Sequence, residues 1–406
     1  MKLTRMPDDT YSMLVTPAAL EGDAQCLLSD LVAIPSVNPA FRSNADPAGI
    51  FGEEAKALYV LSWLHDAGIG ARLQEVLPGR PNIIAEIAGR VGKRTLMLEC
   101  HLDTVQVTGM TAPFIPWLQD GKLYGRGAVD DGGCISAMML AMRALQRDPP
   151  ASNIVLLAAM DEEYQYRGVA HFLAEGGRAD GGIAGEPTGL RVVTACKGCV
   201  RWQIEVIGRA AHSSEPWRGI DAIAVATDLL AHLRAVMTPR LAARHHPLVG
   251  SPTLVCSLIE GGQGPNTVAE RCVMTFDRRT LPGESGMDAW REVEAEIETF
   301  VAGLSEARIV VHAPFIDSVS MAIEDANADI VTTARAVCRV EGLVDKVQGV
   351  AFGSDATKMT ASGIPTIVFG PGDIAQAHTV GEHVAVADVA RAARMIEHIA
   401  RGFGRN

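Results

Sequence analysis

Hydrophobic spacing along the chain falls into two textures. Ala24 to Ile34 and Gly52 to Ala67 carry apolar residues at helical intervals, whereas Asn82 to Ile87 and Thr95 to Cys100 are short apolar runs of strand length. After Gly132-Gly133, small and apolar residues from Cys134 to Leu145 predict a buried helix, and Asn153 to Met160 predicts a second buried strand. Near-continuous apolar strands separated by helices favour parallel pairing.

The second texture begins at Lys197-Gly198. Val200 to Ile207 alternates polar and apolar residues like a half-exposed strand, and further strand patterns lie at Thr253 to Leu258, Val273 to Asp277 and Ala307 to Val311. Helices are predicted over Ile220 to Leu233 and Met287 to Leu304, an order that fits an open antiparallel sheet with two helices. A helix over Ala326 to Glu341 and a buried strand over Thr366 to Phe369, closed by Gly370-Pro371-Gly372, return to the first texture. The expected fold is therefore α/β: a mixed, mostly parallel sheet flanked by helices over 1–197 and 313–406, with an inserted α+β lid of antiparallel sheet and two helices over 198–312. No internal repeat or low-complexity segment interrupts this plan.

Composition narrows the function. With 406 residues, 48% of them apolar, the chain has enough material for a large core without disulfides. A formal charge of −12 leaves no basic footprint for a phosphate backbone, so nucleic acid is not an expected partner. No stretch approaches a membrane span, and Met1 to Pro17 lacks the apolar run of a secretory signal. Eight cysteines scattered among apolar neighbours read as small buried hydrophobes in a reducing compartment, which points to the cytoplasm. Cys196-Lys197-Gly198-Cys199 has CxxC spacing, but no second pair follows, and its place at a strand-like junction favours a hinge at Lys197-Gly198.

Candidate chemistry gathers where apolar segments end. His101 and Asp103, two positions apart beyond a buried strand, can project to one side, and Asp103 suits the acceptor that fixes the ring of a ligating His101. Asp130-Asp131 stands in a glycine-rich turn ahead of a buried helix, where two adjacent carboxylates repel unless a cation or hydrogen bonds offset them. Asp161-Glu162-Glu163 ends another apolar strand; one carboxylate there can bind a cation while its neighbour takes a proton from an attacking water. Glu186 and His378 complete the set. Each cluster alone also has a plain structural reading: a satisfied strand-end histidine, a helix N-cap, a solvated acidic face. Together they supply imidazoles and carboxylates without thiolates, the mixed set that two Zn²⁺, Co²⁺ or Mn²⁺ ions accept.

The ordered series HLDT (101–104), GRGAVDD (125–131), DEE (161–163), GEPT (185–188), AHSS (211–214), GGQGPNT (261–267), DRR (277–279), GSDA (353–356) and GPG (370–372) followed by Ala377-His378 resembles the M20 metallopeptidase family over almost the whole chain. That family includes acetylornithine deacetylase, succinyl-diaminopimelate desuccinylase, aminoacylase-1 and carboxypeptidase G2. The resemblance implies a zinc-peptidase catalytic domain in which His101 and Glu186 hold one metal, Glu163 and His378 the other, and Asp130 bridges them. It makes Glu162 the proton shuttle and places a cis peptide at Asp130-Asp131. In the lid it makes His212 an oxyanion donor to a neighbouring subunit's site, hence a homodimer through the lid, and gives Asn266 and Arg279 the substrate carboxylate. Outside the resemblance His212 is a loop histidine beside Ser213 and Ser214. Three positions depart from the family pattern: Gly132 where many members carry Lys, Cys134 in place of a common Gly, and Gln165 where Gly is frequent.

The expected activity is hydrolysis of an amide in a small carboxylate-bearing substrate, foremost by an acetylornithine deacetylase-like deacylase of N-acyl amino acids. A dipeptidase or carboxypeptidase, or a hydrolase or deaminase of an unusual amino-aromatic compound, stays open within the family. A non-catalytic metal-dependent binding protein is the reading from another class; it would have no use for Glu162.

Overall fold

The computed structural model describes residues 16–43, 47, 49–303, 306–323 and 325–405. Most of the stretch from Met1 to Pro17, and Leu304 at the predicted end of a helix, lie outside the described residues. The chain divides into two compact units, Met1–Val192 with Asp325–Val347 and Ile364–Asn406, and Val193–Glu324 with Gln348–Gly363.

The first unit is the predicted mixed α/β layer. Its strands run in the order Gly70–Leu77, Arg80–Ile87, Asn153–Ala159, Thr95–His101, Gly181–Ala184 and Thr366–Val368. The first two pairings are antiparallel and the last three parallel. The parallel strands are buried along nearly their whole length, as strands covered on both faces must be. Helix Gly133–Arg147 buries eleven of its fifteen residues, from Gly133 to Met142 and at Leu145, because alanine, methionine and leucine occupy all its faces. It packs against helix Val386–Gly402, which the apolar spacing Val389, Ala393, Ile396 and Ala400 drives inward. A small antiparallel sheet of Trp117–Gln119, Lys122–Tyr124 and His383–Ala385 stands apart from the main one.

In the second unit, Thr253–Gly261, Arg271–Thr280, Gly198–Ile207 and Arg308–Val311 form an antiparallel sheet in that order. Inward-facing Val200, Trp202, Ile204 and Val206 alternate with outward residues and meet helices Ala222–Ala242 and Gly286–Val301 through Leu229, Leu233, Val293 and Ile297. Cys196 and Cys199 are both buried, one at the end of strand Val193–Cys196 and the other inside Gly198–Ile207. Lys197 between them is buried and donates to the Ser251 carbonyl.

A tight closure holds the acidic turn after Asn153–Ala159. Asn82 accepts from Met160 N–H at 3.0 Å and donates to the Gly168 carbonyl at 2.9 Å, while Gly168 N–H donates to the Met160 carbonyl. A Cβ on Gly168 would lie 2.4 Å from the Met160 oxygen and 2.6 Å from Asn82 Oδ1. Gly168→Ala is therefore expected to destabilise the fold by about 1–3 kcal/mol, the usual cost of overpacking. Thermal unfolding measures it; an unchanged Tm would show that the closure yields freely.

Candidate metal centre

Parallel strands end on one edge of a sheet, and loops leaving that edge meet there. His101 is the last residue of its strand, Asp161-Glu162-Glu163 begins two residues beyond Ala159, and Glu186 lies two beyond Ala184. His378 follows Thr366–Val368 by a longer loop, with the left-handed φ of 61°. Asp130 comes from the turn Ala128–Gly132, where its own φ and ψ of −125° and 92° leave the helical range and the Asp130-Asp131 peptide is cis.

These side chains converge. Asp130 offers Oδ1 to His101 Nε2 at 2.9 Å and Oδ2 to His378 Nε2 at 3.1 Å, so one carboxylate stands between two imidazoles. His378 Nε2 is also 3.2 Å from Glu163 Oε1. Potential ligand atoms of His101, Asp130 and Glu163 all lie within 4.8 Å of one another, and so do those of His101, Glu162 and Glu186. Glu162 thus shares the cavity with the candidate ligands, and distance alone does not separate its role from theirs. His101, Asp130, Glu162 and Glu186 are buried, while His378 is about half exposed.

The electrostatics are those of a cavity with too much negative charge for its burial. Burial and the nearby Asp130 push Glu163 up to about 7 and Glu186 well above the usual carboxylate range. Burial works against the histidine charges, yet hydrogen bonds to Asp103 and Asp130 hold His101 well above its ordinary value, and those to Asp130 and Glu163 lift His378 to about 10. Asp130, despite burial, is held well below the usual range by the same two imidazoles. Divalent cations would offset the same crowding of buried carboxylates, and the nitrogen and oxygen donors suit Zn²⁺, Co²⁺ or Mn²⁺. The residues present fit such ions.

Around them stands a layer that sequence reasoning largely missed. His101 Nδ1 donates to the Asp103 carbonyl at 3.0 Å, with the Asp103 carboxylate farther away at 3.7 Å. This leaves Nε2 facing Asp130. The Asp103 carboxylate instead accepts from Glu162 N–H at 3.0 Å, Glu163 N–H at 3.1 Å and Asn38 Nδ2 at 2.7 Å. Asn38 also donates to Asp161 Oδ1 at 2.9 Å, and Asp161 is forked by Arg167 and reached by Arg80 at 3.3 Å. Those bonds offset the cost of its φ of 68°, uncommon for a residue other than glycine. Asp131, pushed up to about 7 by burial, accepts from His101 N–H at 3.0 Å. Asn38 and Arg80 lie far from the motifs in sequence, and nothing in their local pattern marks them.

The family departures also have places. A Cβ on Gly132 would lie 2.3 Å from the Gly127 carbonyl, so this backbone has no room for a larger residue there. Cys134 is fully buried, and Gln165 N–H donates to the Asp161 carbonyl.

In the second unit, His212 pairs with Thr267 in an antiparallel bridge, and Ser213 N–H donates to the Asn266 carbonyl at 3.0 Å, which makes His212 and Asn266 neighbours. His212 Nδ1 lies 2.7 Å from Ser214 Oγ. Arg279 Nε donates to Asp277 Oδ1 at 2.8 Å, and Arg201 shares that carboxylate.

Fold and donor set define a class, the metal-dependent amidohydrolases. A model of peptidase family M20/M25/M40 matches residues 97–402, and the chain belongs to that family. It is 28% identical over 390 residues to the acetylornithine deacetylase of Proteus mirabilis, covering 93% of this chain and 96% of that one. A tripeptidase from Staphylococcus aureus superposes with a TM-score of 0.75 at 20% identity, over 94% of this chain and 98% of the other. A dinuclear metal-binding M20 peptidase from Bacillus subtilis gives 0.67 at 15% identity, over 95% and 98%.

Imidazoles must shed their protons to accept a cation. With both histidines raised, Zn²⁺ uptake by metal-free protein near neutral pH is expected to release protons, and affinity to fall as pH falls. Calorimetric titration in two buffers of different ionisation enthalpy measures the release; equal heats in both would contradict it.

Proposed function

We propose that the chain holds two divalent cations, Zn²⁺ in the first place with Co²⁺ or Mn²⁺ able to replace it, and deacylates small N-acyl amino acids in the manner of acetylornithine deacetylase. The observation that supports this most is the Asp130 carboxylate between His101 and His378, with Glu163 and Glu186 alongside. His101 and Glu186 would hold one cation and Glu163 and His378 the other, with Asp130 shared between them.

The cations, when bound, supply Lewis acidity toward the amide carbonyl and a lowered pKa to the attacking water. The resemblance to the family gives Glu162 the role of proton carrier beside the five ligands. Its oxygen takes the proton of the attacking water and returns it to the leaving nitrogen. Asp103 serves this step from behind, by holding the Glu162 and Glu163 amides. Arg279 and Asn266 would bind the substrate carboxylate, for which a planar guanidinium is suited, and His212 would donate to the oxygen on which charge develops.

The 198–312 insertion is taken as lid and dimerisation domain. Edge strand Thr253–Gly261 exposes Val255, Leu258 and Ile259, apolar side chains that a second copy can cover. Most of the cysteines are buried among apolar neighbours, which accords with a cytoplasmic enzyme, and among the described residues no helix is long and apolar enough to cross a membrane.

A panel of N-acetyl amino acids and dipeptides, assayed with Zn²⁺ or Co²⁺, is expected to show deacylation as the preferred activity; uniform preference for dipeptides would refute the substrate assignment. On the best substrate, Glu162→Gln should lower kcat by about 10²–10⁴-fold, the span of general acid–base catalysis, at unchanged metal stoichiometry. Full activity in that variant would remove Glu162 from its role. His212→Ala should lower kcat while leaving the dimer intact in sedimentation; wild-type turnover would exclude it from the oxyanion.

A further inference from the structure

The turn that presents Asp130 has little regular structure of its own. Asp130 and Asp131 are both outside helical φ and ψ, so the main chain here needs partners from elsewhere. They come from near the C-terminal end of the chain. Glu382 is 1% exposed, and its Oε1 accepts from Val129 N–H at 3.1 Å and from Asp130 N–H at 3.2 Å. Its other oxygen, Oε2, accepts from Arg126, itself 3% exposed, whose Nε is fixed on the Gln106 carbonyl at 3.1 Å. The Glu382 carbonyl accepts from Gly125 N–H at 3.1 Å, and the strand that follows, His383–Ala385, pairs with Lys122–Tyr124. One residue thus grips the segment 125–130 at both ends, by backbone and by side chain.

Glu382 also stands four residues after His378. The loop that carries the histidine facing Asp130 Oδ2 is therefore the same loop that fixes the peptide from which Asp130 projects. A buried carboxylate serving only as a counter-ion would need Arg126 alone. Instead one oxygen accepts from two main-chain amides at the bridging acid.

We infer that Glu382 is a positioning residue for the metal centre, a clamp that sets the Asp130 main chain against the His378 loop before any cation arrives. This rests on the two-cation reading above, but the clamp itself is a property of the metal-free chain and is read there first.

Amide hydrogen exchange across 125–132 in metal-free protein, joined to Zn²⁺ affinity by chelator competition, tests it. Glu382→Ala is expected to speed exchange at Val129 and Asp130 and to weaken Zn²⁺ binding by about 10–100-fold, as losing an outer partner of a ligand does. Glu382→Gln keeps a carbonyl oxygen for both N–H groups and should retain most of the protection and affinity. Wild-type protection and affinity in Glu382→Ala would overturn the clamp. So would Glu382→Gln falling as far as Glu382→Ala, since charge and not acceptance would then be at work. If Glu382→Ala does not fold, Glu382→Gln is read against Arg126→Met, which leaves both N–H bonds and should keep the protection; exchange released by Arg126→Met alone would overturn the clamp. A wild-type protein that takes up no Zn²⁺ would refute the two-cation reading, and the exchange data would still decide the clamp.

Discussion

One carboxylate shared between two imidazoles organises this molecule. Asp130 lies deep enough that its charge must be matched, and both of its oxygens are committed, to His101 on one side and His378 on the other. Burying further acids beside it raises their proton affinity, as at Glu163 and Glu186. A protein gains nothing in stability from concentrating carboxylates in this way unless cations bind there, so the arrangement is explained by chemistry more than by folding.

That arrangement needs rigid support, because short loops at a sheet edge do not hold five side chains in register by themselves. The support is polar and buried. Asp103 gathers the Glu162 and Glu163 amides, Asn38 links Asp103 to Asp161, and Asp161 in turn is gripped by Arg167 and Arg80. Asn82 closes the base of the same loop. Buried networks of this kind are favourable only when their members are satisfied, and the close packing at Gly168 and Gly132 shows how little backbone freedom remains.

Much of the scaffold was legible beforehand. The predicted strands Thr95 to Cys100 and Asn153 to Met160 appear as Thr95–His101 and Asn153–Ala159, paired in parallel, because long apolar runs bounded by polar turns have few alternatives. Less legible were the hairpin strand Gly70–Leu77, whose mixed polar pattern resembles a surface loop, and the short strands Trp117–Gln119 and Lys122–Tyr124, too brief for periodicity to register. Helix Val386–Gly402 is not among the predicted elements, although its buried face sets Val386, Val389, Met395, Ile396 and Ile399 among four alanines. Asp103 stands behind His101 as expected of an acceptor there, with its carbonyl nearer to the ring than its carboxylate.

The sequence by itself determined the kinds of groups available and their attachment to strand ends, since apolar runs followed by acids and histidines are written in local order. It also carried the family, because ordered motifs survive where overall identity is low. Tertiary structure alone decided that residues as distant as Asn38, Glu162 and Glu382 serve one cavity. Hydrogen bonds across hundreds of positions depend on where the folded backbone brings N–H and carboxylate together, and no local pattern encodes that meeting.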